Sequence, residues 1–222
     1  MIIAGIDESG KGPVIGPMCI AIVILEEGGE KELERTGIKD SKLLSPKKRK
    51  HLTRIIKETA LEEKYLMIPA DEIDKMRTEG INMNKIVVNS MGELIKKTKK
   101  KADLYIADAA DVNPKRFQKR LAPYIPSKAK LLCEHKADTK YIPVAAASII
   151  AKVERDNQIE KLREKHGEIG SGYPNDPLTI NFLKKTIEKE GKYPLFVRKT
   201  WKTAQRIKKE TQQTKIKKFS KK

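Results

Sequence analysis

A chain of 222 residues, 38% hydrophobic and 35% charged, holds enough apolar material for one substantial core, and no apolar run approaches the ~20 residues of a membrane-spanning helix. Two cysteines, Cys19 and Cys133, are too few for a disulfide scaffold and read as reduced, buried thiols. The formal charge of +18, from 48 Lys and Arg against 30 Asp and Glu, points to a polyanionic partner, with nucleic acid ahead of an anionic membrane surface. From Arg198 to Lys222, eleven Lys or Arg stand against the single Glu210, and such clustering favours a polyanion over the general Lys and Glu enrichment of a heat-adapted proteome. The amino-terminal stretch lacks the basic-then-apolar order of a secretory leader, so the expected location is the cytoplasm.

Ile2, Ile3 and Ile6 predict a first strand that ends on Asp7 and Glu8 and runs at once into Gly10-Lys11-Gly12, where the backbone can approach a ligand closely. Met18 to Leu25 predicts a second, buried strand, and Glu26 to Glu30 a loop. Ser45 as N-cap, followed by Pro46, starts a helix whose Leu52, Ile55 and Ile56 recur at helical spacing. Tyr65 to Ile68 is a further strand and Asp71 opens a short helix. Asn82 or Asn84 starts another, whose Met83, Val87, Met91 and Leu94 form a buried stripe and whose run Lys96 to Lys101 is a solvated end. Asp103 to Ala107 reads as a strand running into Asp108, and Asn113-Pro114 as the start of a basic helix with Asp111 as its cap. Lys130 to Cys133 is a strand followed by Glu134, His135 and Asp138. From Val144 onward, Ala146, Ile149, Ile150 and Val153 give a small-residue helix that packs closely on the sheet. Gly167 to Pro174 is a glycine-rich loop carrying Tyr173. Asp176-Pro177 begins a helix, a last one covers Thr200 to about Lys209, and residues 211–222 are too polar to fold alone.

Strands alternating with helices predict an α/β fold, in which ligands gather at strand ends, and Asp7, Glu8, Asp108 and Asp138 all fall at such ends. Four carboxylates from three segments, without a Cys or His cluster, suit a hard divalent ion, Mg²⁺ or Mn²⁺. Two such ions ~4 Å apart are the usual device for in-line phosphodiester attack. Taken singly, each acid reads as a helix cap or turn residue; three strand ends on one basic chain favour the metal site. Because strand neighbours point to opposite faces, Asp7 and Glu8 share a site only if the chain bends between them, which the adjacent glycines permit. His135 reads as structural, or as a support behind the ligands, rather than as a ligand itself. Lys42 is assigned to a substrate phosphate, with a plain surface lysine as the alternative, and Ser148 and Lys152, one helical turn apart, present toward the nucleic acid.

The stretch G-I-D-E-S-G-K-G-P-V-I-G-P, D-S-K at Asp40 to Lys42, D-A-A-D from Asp108, H-K-A-D ending at Asp138, A-A-A-S-I-I-A-K-V-E-R-D from Ala145 to Asp156 and G-S-G-Y-P around Tyr173 together resemble type 2 ribonuclease H in its archaeal form, from Ile2 to about Trp201. The resemblance implies an RNase H-like fold, a mixed central sheet flanked by helices, with a helical carboxy-terminal portion. It implies hydrolysis of the RNA strand of RNA/DNA hybrids and cleavage 5′ of ribonucleotides embedded in duplex DNA, leaving 3′-hydroxyl and 5′-phosphate ends. It further implies that Asp7, Glu8, Asp108 and Asp138 hold Mg²⁺ or Mn²⁺, and that Gly10, Lys11, Gly12 and Tyr173 read the ribose 2′-hydroxyl and the junction with the following deoxynucleotide. The family more often has Ala and Arg where this chain has Ser9 and Lys11, and a lysine lacks the planar fork of an arginine.

Three segments are expected: an RNase H-like catalytic domain over 1–174, a helical subdomain over 175–210 and a basic tail over 211–222. In the tail, Gln213, Ile216 and Phe219 resemble the glutamine, hydrophobic and aromatic positions of the peptide that docks on the PCNA sliding clamp, although Ser220 stands where a second aromatic is common. The alternative is a basic tail adding nonspecific phosphate attraction. A monomer is expected. Two other functions fit the same scaffold: a noncatalytic nucleic-acid-binding protein, which leaves the acids without purpose, and a DNA nuclease or recombinase, which would be indifferent to a 2′-hydroxyl.

Overall fold

In a computed structural model, which describes residues 1–38 and 45–219 and the side chains as far as Gln213, the first strand lies in the middle of a mixed five-stranded sheet. Strand β1 (Ile2–Ser9) pairs antiparallel with β2 (Met18–Glu26) and parallel with β4 (Leu104–Asp108), which pairs parallel with β5 (Lys130–Glu134); β3 (Glu62–Ile68) lies outside β2. The resulting order is β3-β2-β1-β4-β5. The β-branched run of β2 is buried on both faces from Met18 to Leu25, as a central strand covered by helices requires. The α/β, RNase H-like expectation is met.

The chain divides into two compact units. The first comprises residues 1–9, 19–67 and 82–155, the second residues 10–18, 68–81 and 156–222. In the first unit, helices α1 (Glu27–Glu34), α2 (Pro46–Thr59) and the first part of α7 (Ile142–His166) enclose one core with β2, built from Val23, Leu25, Leu33, Leu52, Ile56 and the small residues Ala145 to Ala147. Ser45 caps α2 by accepting from the Lys48 N–H, with Pro46 behind it. Helix α4 (Met83–Lys97) is capped by Asn82, and its buried face, Ile86 to Val88, Met91, Leu94 and Ile95, is wider than the expected stripe, while Met83 is only half-buried. Asn113, not Asp111, caps α5 (Pro114–Leu121); Asp111 instead accepts from the Asn113 N–H and pairs with Arg116 and Arg120 on the helix. Those partners, Arg116 first, hold the Asp111 carboxyl well below the usual range.

The second unit has its own core of Val14, Ile15, Ile159, Ile169, Leu183, Ile187, Val197 and Ile207, contributed by the 10–18 segment, the end of α7, α8 (Pro177–Glu190) and α9 (Lys202–Phe219). Helix α3 (Ala70–Thr78) belongs to it, and its Asp74 accepts from the Lys199 and Thr200 N–H groups at 2.6 and 2.9 Å.

Two further expectations need correction. Glu26 to Glu30 is not a loop: Gly28 and Gly29 look like breakers, but a Cβ at Gly29 would meet Thr59 at 3.0 Å, so glycine there permits close approach of α2 while Leu33 enters the core. The last helix does not stop near Lys209 but continues to Phe219, because Lys202 to Phe219 contains neither Gly nor Pro and Arg206 pairs with Glu210 one turn on. Both cysteines are free and buried as expected, and burial pushes each thiol up to about 12. Among the described residues no helix is long and apolar enough to cross a membrane.

Candidate active site

Gly5 sets the first geometry of the site. A Cβ at Gly5 would lie 2.0–2.2 Å from the backbone of Pro143 and Val144, so only glycine lets the first turn of α7 rest on β1. Two residues further along the same strand face, about 6.6 Å on, comes Asp7; five residues further along α7, about 7.5 Å on, comes Ser148. The two advances match, and the Ser148 hydroxyl hydrogen-bonds the Asp7 carboxylate. Ser148 was expected to present toward nucleic acid; the structure has it bound to Asp7, with Lys152 half-buried one turn later.

Parallel register places the next acid beside Asp7. Ile6 pairs with Ala107, so Asp7 and Asp108 follow as neighbours where β1 and β4 part. Strand β1 runs unbroken to Ser9, without the expected bend between Asp7 and Glu8. The two carboxylates nevertheless converge, because Asp7 curls back to accept from the Glu8 N–H at 2.7 Å. One carboxylate oxygen from each of Asp7, Glu8 and Asp108 lies within 4.8 Å of the others. Asp7 is 5% exposed, and burial, then Glu8, then Asp108, hold its carboxyl well above the usual carboxylate range.

Asp138, expected at a third strand end, is not in that group of three. It lies on α6 (Ala137–Lys140), four residues past the end of β5, after Lys136 turns the chain through a left-handed conformation at φ 56°. Asp108 nonetheless ties the two segments together, accepting from the Ala137 N–H at 2.7 Å, so Asp138 is the residue after the one Asp108 holds. His135 bonds the Val112 carbonyl through Nε2 at 3.3 Å.

In the second unit the structure brings the Gly10-Lys11-Gly12 loop and Tyr173 together. Gly10 has φ 88°, in the region that favours glycine. The Val14 and Ile15 N–H groups both donate to the Gly172 carbonyl, at 2.8 and 3.2 Å, and a Cβ at Gly12 would come within 3.8 Å of the Tyr173 ring, which is 42% exposed. Asp176 fixes the far side of that loop by accepting from the Ser171 and Leu178 N–H groups, and these bonds, Ser171 first, lower its carboxyl to about 2. Lys42 and the rest of its D-S-K motif lie outside the described residues. Gln213, Ile216 and Phe219 fall on the last turns of α9, with the Gln213 side chain exposed.

Several residues carrying this geometry escaped the sequence reading. Gly5 had a signal, since an isolated glycine within a strand marks close backbone approach. Arg198 had none: counted there among the basic tail charges, it is fully buried, with its guanidinium on the carbonyls of Gly10, Lys11 and Gly16.

As for a metal, the donor set fits one. Three hard carboxylate oxygens crowd together around a buried Asp7, and a divalent cation held by Asp7, Glu8 and Asp108 would offset the repulsion among them.

The family model for ribonuclease HII matches residues 4–204. The ribonuclease HII of Thermococcus sibiricus is 46% identical over 215 residues, which cover 97% of this chain and 95% of that one. The crystal structure of ribonuclease H2 from Pyrococcus horikoshii superposes with a TM-score of 0.90 at 39% identity, covering 96% of this chain and 99% of its own. Ribonuclease HII of Archaeoglobus fulgidus, solved in complex with PCNA, gives a TM-score of 0.82 at 40% identity, covering 91% and 96%. With the resemblance read from the motifs now matched by likeness over nearly the whole length and by the mixed sheet itself, the chain belongs to the ribonuclease HII family and is a nuclease with ribonuclease H activity.

Proposed function

We propose that this chain cuts the RNA strand of RNA/DNA hybrids and the 5′ side of ribonucleotides embedded in duplex DNA, with Asp7, Glu8, Asp108 and Asp138 as the catalytic acids and the ligands of two Mg²⁺ or Mn²⁺ ions. The observation that carries the proposal is the convergence of the Asp7, Glu8 and Asp108 carboxylates at the ends of two adjacent strands. Bound ions would supply a nucleophilic water and neutralise charge on the phosphate and the leaving oxygen. The protein's own groups prepare the place: Ser148 and the Glu8 amide orient Asp7, and Asp108 anchors the turn that carries Asp138. Gly10, Lys11, Gly12 and Tyr173 read the 2′-hydroxyl and the junction, the exposed ring facing a sugar, and Lys152 faces a substrate phosphate.

The test is cleavage of a duplex carrying one ribonucleotide, beside all-DNA and full hybrid duplexes, with Mg²⁺, Mn²⁺ or chelator. We expect a metal-dependent cut 5′ of the ribonucleotide, 3′-hydroxyl and 5′-phosphate products, and no cut in all-DNA. Cleavage of all-DNA would move the reading to a DNA nuclease on this fold, and cleavage of the hybrid alone would remove the junction from the proposal.

A partner is proposed on the same footing. The likeness to an Archaeoglobus fulgidus enzyme solved with PCNA supports clamp docking through Gln213, Ile216 and Phe219. Phe219→Ala is expected to weaken capture by a PCNA column about 10-fold, the loss of one buried aromatic anchor, while salt-sensitive duplex binding is retained. Equal capture of both proteins would leave the tail as a source of phosphate attraction only.

A further inference from the structure

The Gly10-Lys11-Gly12 loop is held by two side chains far along the sequence. Arg198 donates through Nη2 to the Gly10 carbonyl at 2.6 Å, through Nη1 to the Lys11 carbonyl at 3.0 Å and through Nε to the Gly16 carbonyl at 3.1 Å. Trp201 donates through Nε1 to the Gly12 carbonyl at 3.0 Å, and its ring lies under the guanidinium, 4.9 Å from Cζ to centroid. Three consecutive carbonyls thus point to the same side. In a trans peptide the N–H of the next residue points the opposite way, so the Lys11 and Gly12 amides are aimed away from Arg198 and Trp201. Such a pair of aligned amides next to a residue of positive φ is a donor cradle. Segment 198–201 is itself fixed: Asp74 accepts from the Lys199 and Thr200 N–H groups and from the Thr200 hydroxyl, and the Arg198 N–H donates to the Val14 carbonyl.

We infer that Arg198 and Trp201 are positioning residues for ribose recognition: by fixing the three carbonyls they set the direction of the Lys11 and Gly12 amides toward the 2′-oxygen. This rests on the proposed assignment of the loop to the 2′-hydroxyl. Two amide donors match an oxygen acceptor, and a deoxyribose leaves them facing carbon, which is the arrangement that rejects a substrate lacking one hydroxyl. A guanidinium is needed beneath the loop because three divergent carbonyls require a planar fork, which a lysine at 198 cannot provide.

The experiment measures KM for a duplex with one ribonucleotide and Ki for an all-DNA duplex as competitor, in wild type, Arg198→Lys, Trp201→Phe and Ile187→Ala. Trp201→Phe keeps a ring beside Arg198 but removes the donor, and should raise KM about 10-fold, one hydrogen bond's worth, with Ki unchanged. Arg198→Lys should raise KM about 100-fold by loosening two carbonyls of the motif at once. Ile187→Ala, buried in the same core, lowers the melting temperature and keeps the wild-type ratio of Ki to KM. Should Arg198→Lys fail to fold, Trp201→Phe carries the test. A fall in kcat alone, with Ki over KM as in wild type, would make both residues purely structural and overturn the inference while leaving the ribose reading intact. A wild-type enzyme with equal Ki and KM would instead overturn the ribose reading itself.

Discussion

Asp7→Asn is expected to lower single-turnover cleavage about 10³-fold, the rate equivalent of several kcal/mol of lost charge stabilisation, with duplex affinity within about 3-fold of wild type. Asparagine keeps the shape and an oxygen that accepts from the Glu8 N–H, so the strand end stays as it is. What disappears is one negative charge of the three that converge. The same change has an opposite effect on stability. Burial and the neighbouring Glu8 and Asp108 hold the Asp7 carboxyl above its usual range, so its charged form is a cost to the metal-free fold at neutral pH. Asp7→Asn removes that cost, and the melting temperature of the metal-free protein should rise as activity vanishes. Such a pairing marks a residue kept for function against stability. Calorimetry in chelator, beside cleavage in Mg²⁺, measures both; undiminished cleavage would exclude Asp7 from the chemistry.

The ends of β1 and β4 were legible because their apolar runs stop on acids, and a strand's residues announce themselves by alternation and by the first polar group after the core. Caps were legible for the same local reason at Ser45, Asn82 and Asp176, each of which bonds the helix it precedes, whereas α5 is capped by Asn113 and not by the expected Asp111. Distance along the chain hid the rest. Asp138 looked like a strand-end acid, but the left-handed Lys136 and the bond from Ala137 to Asp108 place it on a short helix. Arg198 looked like one more surface charge, since nothing near it in sequence foretells three carbonyls more than 180 residues away. Gly28 and Gly29 looked like a turn, and only the neighbouring Thr59 explains why a helix needs glycine there. Local pattern found the acids; which side chains hold them, and which hold the loop beyond, followed from contacts that no spacing rule encodes.

Gly5→Ala tests the support beneath the acids with a change that touches none of them. The added Cβ would stand 2.0–2.2 Å from main-chain atoms of Pro143 and Val144, and backbone in the first turn of a 25-residue helix cannot yield as a flexible side-chain tip would. The strand cannot yield either, for Gly5 pairs with Val23 on one side and Ile106 on the other. Relief therefore comes only by lifting the start of α7, which uncovers Ala145 to Ala147, all fully buried. We expect a loss of about 3 kcal/mol or more, at the upper end for overpacking, read as a lowered midpoint in denaturant at unchanged slope. Catalysis should suffer beyond the unfolded fraction, because lifting α7 draws Ser148 from Asp7. With metal saturating and temperature well below the melting point, kcat should fall about 10-fold, since a misplacement near 1 Å is enough for such a loss, while KM barely changes. A variant equally unstable through Ile56→Ala, buried in the same core but away from the acids, should keep its kcat. If Gly5→Ala also keeps kcat, the helix serves only the fold, and the alignment of Ser148 with Asp7 has no part in cleavage.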